Sequence, residues 1–248
     1  MFNFFVDEAK RSGDVFYIDG PDFNHIKNVL RMRIGDELLV SCLGKSHLCS
    51  IESLDGDTAA VQITEENYQN TELPVQIILY QGLPKADKLE LIIQKTVELG
   101  VAKIVPVEMS RCVVKLDEKK KNAKVSRWQS IAESAAKQSK RTLIPEIGNV
   151  LTFKQMLEEA KGLDLFLVPY ENKDGMAATK AVLDKIKSGM RVGILIGPEG
   201  GFEVSEVEAA ASAGGETISL GSRILRTETA AITAAAMCML HIEMSERK

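Results

Sequence analysis

The 248-residue chain is 45% hydrophobic with a net charge of −4 at pH 7, and it is long enough to bury the core of one large or two modest domains. Its longest apolar stretch, AAITAAAMCML, is far shorter than the roughly 20 residues of a membrane span, and no basic stretch precedes an apolar run at the start. We therefore expect no membrane partner and no secretion signal. Four scattered cysteines without a C-x-x-C pair favour a reduced, cytoplasmic protein.

The first seventy residues are typical of a small β domain. Four segments alternate or run apolar between turn signals, namely 14–18, 37–43, 47–54 and 58–64, and a short helix is predicted over 22–30. This pattern predicts a small antiparallel barrel over residues 1–72, followed by a polar linker around 66–74. Cys42, His47 and Cys49 fall within it, but metal ligands normally show tighter pairing, so we expect no metal.

From residue 73 the pattern changes to strands separated by helices. We predict strands at 75–81, 103–109, 164–170, 191–197 and 217–221, and helices at 85–99, 126–140, 153–160, 176–187, 204–213 and 228–244. Such alternation indicates an α/β domain over residues 73–248 with a largely parallel sheet. Ligands of these folds bind at the carboxyl ends of strands, where the segments PYE (169–171), GPEGG (197–201) and LGSRILR (220–226) stand.

The two domains differ in charge. Residues 1–72 contain 6 Lys/Arg and 13 Asp/Glu, whereas residues 84–141 contain 14 and 7. A local basic excess of this size can steer an anionic partner to an acidic protein. Lysines also collect on solvated helix faces, and DEKKKNAK (117–124) has that composition, so charge alone leaves both interpretations open.

The stretch IGPEGGF (196–202) follows an apolar strand. Glycines there let backbone N–H groups approach a ligand, but the Lys-Ser/Thr of a P-loop is missing and Glu199 would repel a phosphate. The loop is therefore predicted to hold a neutral or positively charged ligand. A tight turn without any ligand is the alternative.

A second segment, LGSRILRTETA (220–230), leads into an alanine-rich helix. Thr227 could be the helix N-cap, and Glu228 would stabilise the positive helix end. Capping does not explain Arg223 and Arg226, because a charge beside an apolar sheet needs a partner.

These two segments together resemble the RsmE family of ribosomal RNA uridine-N3 methyltransferases, in the SPOUT superfamily. The resemblance extends to HIKNVLRMRIGD (25–36), LPKADKLELIIQKTVELGV (83–101) and RWQSIAESAAKQSKRTLIPEI (127–147), and so covers essentially the whole chain. It implies a PUA-like barrel over residues 1–72 and an α/β trefoil knot over 73–248. It also implies a homodimer that completes the site and S-adenosyl-L-methionine as cofactor.

On this resemblance, we expect backbone groups of the strand-end loops to line the cofactor cavity. The expected residues are Pro169, Ile196, Gly197, Glu199, Gly200, Leu220, Gly221, Leu225 and Arg226. A cationic sulfonium suits a glycine loop that carries an acid.

Methylation at uridine N3 sets the chemistry of the site. The N3 proton must leave, and the resulting anion must be stabilised. We assign anion stabilisation to Arg226 and proton acceptance to Glu199 or Glu228, although capping alone could explain Glu228. The target base must be unpaired, since N3 lies on its Watson–Crick edge.

Two groups of residues are predicted to contact RNA. His25, Lys27, Arg31 and Arg33 form an acid-free basic run in an otherwise acidic domain. Gln138 and Arg141 are neighbours on one helix face. The alternatives are an ordinary basic surface for the first group and an exposed helix face, with Glu133 and Lys137 paired, for the second.

The expected partner is ribosomal RNA within the small ribosomal subunit. A non-catalytic RNA-binding or ribosome-assembly protein on the same scaffold is the alternative, although such a protein needs no small-ligand pocket. Ala231, Ala234 and Ala235 on the last helix would suit a subunit interface or internal packing equally.

Overall fold

The computed structural model describes residues 1–170 and 175–246. Internal contacts divide the chain into two compact units. The N-terminal unit comprises Met1–Glu72 with Ala136–Ile144, and the C-terminal unit comprises Leu73–Ala135 with Pro145–Lys248. Among the described residues, no helix has both the length and the apolarity to cross a bilayer.

The N-terminal unit is built on a curled, mixed six-stranded sheet. Its strands are β1 (Asn3–Phe5), β2 (Arg11–Ser12), β3 (Val15–Asp19), β4 (Glu37–Cys42), β5 (Lys45–Asp55) and β6 (Thr58–Glu65), in the order β1-β4-β5-β6-β3-β2. The pairs from β4 to β2 are antiparallel, but β1 pairs parallel with β4. The expected purely antiparallel sheet is therefore wrong, because a three-residue strand is too short to reveal itself by alternation.

The helix predicted over 22–30 has two geometries. It begins as α1 (Gly20–Asn24), with Pro21 in the first turn, where its missing N–H costs nothing. It continues in π-helical geometry over His25–Val29. A three-residue 3₁₀ helix, Glu8–Lys10, precedes β2. Phe23 and Ile26 are buried in the sheet core, together with Phe16, Leu38, Ile51 and Val61.

The C-terminal unit is an α/β fold whose sheet is parallel throughout the described pairings, as predicted. Its strands are β7 (Gln76–Gly82), β8 (Lys103–Glu108), β9 (Glu146–Ile147), β10 (Leu151–Thr152), β11 (Leu165–Pro169), β12 (Arg191–Ile196) and β13 (Gly215–Ile218). The order is β10-β8-β7-β12-β11-β13, with β9 paired to β8. Successive residues of β7 point to opposite faces of the sheet, and both faces are buried, which is why this strand is a continuous apolar run.

The helices of this unit are α2 (Lys88–Glu98), α3 (Glu118–Gln138), α4 (Phe153–Ala160), α5 (Gly175–Leu183), α6 (Val204–Ser212) and α7 (Thr227–Glu246). Helix α3 ends in the N-terminal unit. Helix α2 starts three residues later than predicted, because Ala86 has a φ of +52° and cannot lie in a helix. Helix α3 starts eight residues earlier than predicted, since the charged run is helical from Glu118 onward, with Lys121 paired to Glu118 and to Glu108.

Candidate active site

The carboxyl ends of four neighbouring strands form one edge of the parallel sheet. Gln81 lies near the end of β7 and is in register with Ile196, the last residue of β12. Pro169 ends β11 in register with Ile218, the last residue of β13. The predicted cofactor residues therefore lie on or directly after adjacent strands. Glu171, which belongs to the segment PYE, lies outside the described residues.

The loop after β12 is held in a tight bend by its glycines and by Arg111. Gly201 has a φ of +69°, which favours glycine. A Cβ added to Gly200 would lie 2.9 Å from the Cβ of Arg111. The Arg111 guanidinium donates to the Gly200 carbonyl at 2.9 Å and to Glu203 at 2.8 Å. The loop backbone is thus fixed by a side chain that follows β8.

The start of α7 is tied to the same loop through buried hydrogen bonds. The Thr227 hydroxyl donates to the Gly197 carbonyl at 2.7 Å and accepts from Gln81 Nε2 at 2.9 Å. Its predicted role as N-cap is not what the structure shows, because the hydroxyl bonds to the neighbouring loop. The carbonyl of Arg226 accepts the first helical hydrogen bond, from Ala230. Gln81 Oε1 is buried and accepts no hydrogen bond from the described residues.

The bend after β13 is supported by helix α5. The buried Thr179 hydroxyl donates to the Ser219 carbonyl at 3.2 Å and accepts from the Ser219 N–H at 2.8 Å. The Ser219 hydroxyl in turn accepts from the Gly221 N–H at 3.2 Å. Gly221 has a φ of +104°, so the bend requires glycine. Leu220 and Leu225 are half-buried on either side of this bend.

Two carboxylates, Glu199 and Glu228, share one cation. Lys88 Nζ lies 3.0 Å from Glu199 Oε1 and 3.5 Å from Glu228 Oε2, the longer contact being an ion pair without hydrogen-bond geometry. Glu199 also accepts from the Lys85 backbone N–H at 3.0 Å. Burial alone would raise the pKa of Glu199, but hydrogen bonds from Lys88 and from backbone N–H groups outweigh it and hold that pKa below its ordinary value. Glu228 Oε2 is buried and accepts no hydrogen bond from the described residues.

The two arginines of the second motif point away from the core. Arg223 and Arg226 are exposed, and neither guanidinium pairs with another described residue. Ile224 between them is fully exposed. This turn therefore presents two cations and an apolar side chain that have no internal structural role among the described residues.

The basic run of the N-terminal unit is also exposed. His25, Lys27, Arg31 and Arg33 are all on the surface. Lys27 Nζ lies 5.1 Å from the centroid of the Phe23 ring, and Arg31 has a φ of +54°. A positive φ is uncommon for a non-glycine residue and is found more often at functional sites than elsewhere.

The two RNA-contact candidates at or just after the end of α3, Gln138 and Arg141, have different surroundings. Gln138 is exposed, and the adjacent Lys137 pairs with Asp22 at 2.9 Å, which holds the end of α3 against α1. The Arg141 side chain is only 4% exposed and makes a bidentate ion pair with Glu72. Its predicted contact with RNA is corrected to an internal one, since a guanidinium buried against a carboxylate is not available to a phosphate.

Comparison with known proteins identifies the family. Residues 71–239 match the family described as RNA methyltransferase domain, and residues 18–64 match the RNA methyltransferase PUA domain. The chain is 38% identical to the ribosomal RNA small subunit methyltransferase E of Bacillus subtilis, over 98% of both chains. The chain belongs to this RNA methyltransferase family.

Solved members of the family have the same fold. The ribosomal RNA small subunit methyltransferase E of Neisseria gonorrhoeae, bound to S-adenosyl methionine, is 31% identical over 96% of both chains, with a TM-score of 0.78. A Legionella pneumophila protein in complex with the same cofactor is 32% identical over 96% of this chain and 97% of that one, with a TM-score of 0.81.

Four residues at this edge were not predicted from the sequence: Gln81, Lys88, Arg111 and Thr179. Gln81 carried a local signal, because it is a polar residue near the end of an apolar strand. No local sequence signal indicated the other three, Lys88, Arg111 and Thr179. Their partners lie between 40 and 140 positions away along the chain and are brought near only by the fold.

Proposed function

We propose that the protein transfers a methyl group from S-adenosyl-L-methionine to N3 of a uridine in small-subunit (16S) ribosomal RNA. The observation that carries the proposal is the similarity, over nearly the full chain, to relatives whose names state action on small-subunit ribosomal RNA. Two similar solved structures contain the cofactor.

The strand-end loops fit this cofactor. They offer backbone groups at Gly197, Gly200 and Gly221, and the buried oxygen Gln81 Oε1 accepts no hydrogen bond from the described residues. A buried polar atom without a partner is costly, so a ligand that donates to Gln81 would stabilise the site. The residues that would hold it are Pro169, Ile196, Gly197, Glu199, Gly200, Leu220, Gly221, Leu225 and Arg226. The bound cofactor supplies an electrophilic methyl group.

Of the two acids, Glu228 is the better proton acceptor. Glu199 is already committed to Lys88 and to the Lys85 N–H, and hydrogen bonds to its charged form make it a weak base. Glu228 has one oxygen without a hydrogen bond and a side chain that is 15% exposed. Arg226 is exposed and lies two positions before Glu228, and it would stabilise the uracil anion after the N3 proton has left.

RNA is bound, in this proposal, by the exposed basic run His25, Lys27, Arg31 and Arg33 together with Gln138. The match of residues 18–64 to an RNA methyltransferase PUA domain supports this role. The phosphate contacts would position the strand without reading its sequence, so that the target base enters the site unpaired.

We further propose that the C-terminal segment forms a trefoil knot and that two copies of the chain pair to complete the site. The hydrogen bonds of Thr227 to Gly197 and Gln81 support the proposal, because they tie the end of the segment 220–227 to the ends of β7 and β12. The proposed cellular location is the cytoplasm.

Thermal unfolding with and without S-adenosyl-L-methionine tests the cofactor site. A ligand at 100 times its dissociation constant stabilises the folded state by about 2.7 kcal/mol, and we expect a clear rise in Tm. Gly200→Ala should abolish the rise, because its new Cβ would lie 2.9 Å from the Arg111 Cβ. Gly162→Ala, whose Cβ would have ordinary contacts at 3.6 Å, is the matched control. No rise for the natural protein would favour the alternative, a non-catalytic RNA-binding protein.

A further inference from the structure

Lys88 stands between the two acids of the candidate active site. It is the first residue of α2, and its ammonium contacts Glu199 from the loop after β12 and Glu228 from α7. The hydrogen bond to Glu199 is the main reason that the pKa of Lys88 is raised, so the ammonium stays charged.

No other charged side chain of the described residues contacts this pair of acids. On α2, Lys95 pairs with Glu98 and Glu90 pairs with Arg127. Strands β7 and β12, which pack against α7, bring uncharged Gln81 and Ile196 to this edge. Removal of the Lys88 charge would therefore leave two carboxylates facing each other without a counter-charge.

We infer that Lys88 is a positioning residue of the methyl transfer reaction, whose ammonium holds the carboxylates of Glu199 and Glu228 together at the edge of the sheet. The inference rests on the proposed function, in which the N3–H bond of uridine breaks, the proton passes to Glu228 and the electron pair stays on the uracil ring. Lys88 Nζ lies 3.5 Å from Glu228 Oε2, a buried oxygen that accepts no hydrogen bond from the described residues, so the ammonium places a positive charge beside the carboxylate that must receive the proton.

The consequence of losing Lys88 follows from like-charge repulsion. Both acids lie within 3.5 Å of the same nitrogen, so without it one of them must take up a proton at a higher pH. Glu199 would keep the Lys85 N–H hydrogen bond, which favours its charged form. Glu228 is therefore the acid that becomes protonated, and a protonated Glu228 cannot accept the N3 proton.

The test is the pH dependence of kcat/KM for Lys88→Met between pH 5 and 10, with small ribosomal subunits as substrate. We expect the midpoint of the acid limb to move up by about one pH unit in the variant. At pH values below this midpoint the kcat/KM of the variant should be about tenfold lower than that of the natural protein, and at high pH the two should be similar. Lys88→Arg should keep the natural midpoint. Lys95→Met, on the same helix and outside the site, is the matched control and should leave the profile unchanged.

A uniform loss of activity at every pH, with an unchanged midpoint, would overturn the inference and make Lys88 a merely structural residue. The double variant Lys88→Met/Glu199→Gln removes the opposing charge, so its midpoint should return toward the natural one. If Lys88→Met does not fold, Lys88→Gln takes its place. Absence of methyl transfer by the natural protein would refute the proposed function instead, and so the two failures are distinguishable.

Discussion

Arg141 and Arg226 were both predicted from the sequence to serve RNA methylation, yet their surroundings are opposite. Arg141 is buried against Glu72, and the same carboxylate accepts hydrogen bonds from the N–H groups of Thr142 and Leu143. Arg226 is exposed and pairs with no described residue. The partner of Arg141 is 69 positions away, so local sequence could not distinguish a structural arginine from one that is free to bind a substrate.

The largest effect that separates the two arginines is on stability. Arg141→Met would leave Glu72 without its counter-charge and with only backbone and hydroxyl donors, so we expect a loss of about 3–5 kcal/mol in the free energy of unfolding. Urea denaturation followed by circular dichroism measures it. Exposed Arg33→Met is the control and should change stability by no more than about 0.5 kcal/mol. A stable Arg141→Met protein with weakened RNA binding would restore the original interpretation.

The second effect is on catalysis. Arg226→Ala should lower the rate of methyl transfer by about 10²–10³-fold, the usual cost of removing one group that stabilises a developing anion. The Tm rise with S-adenosyl-L-methionine should persist, because Arg226 is expected to line the cofactor cavity through its backbone, and the Tm of the free protein should not change. Arg223→Ala, on the same exposed turn, is the matched control and should retain most of the activity. A normal single-turnover rate for Arg226→Ala would remove it from the mechanism.

The fold was largely predictable where the signal is local. Apolar runs followed by amphipathic helices placed most strands and helices of the C-terminal unit within a few residues, and the parallel pattern placed the loops at strand ends. The start of α3 was eight residues off, and the two-residue strands β9 and β10 were not predicted. Strand β1 was missed because Asn3–Phe5 is short and pairs with residues far along the chain. The sequence predicted which backbone loops form the site but not the ion pairs between its side chains. Lys88 lies beside Glu199 and Glu228 only in the folded protein, because these residues are far apart along the chain.

The smallest effect concerns the exposed basic run. Replacing Arg31 and Arg33 by Ala should weaken RNA binding and reduce the slope of log affinity against log salt by about 0.7 for each phosphate that is no longer neutralised. Lys45→Ala, exposed elsewhere in the same unit, should leave the slope unchanged. Fluorescence titrations at several salt concentrations measure it. An unchanged slope in the double variant would exclude these two arginines from phosphate binding.

The most direct test of the proposed reaction is methyl transfer from labelled S-adenosyl-L-methionine to small ribosomal subunits that lack the modification, followed by mapping of the labelled nucleotide. We predict a single labelled uridine whose methyl group is on N3. A label on another atom or another base, or no label while the cofactor binds, would contradict it.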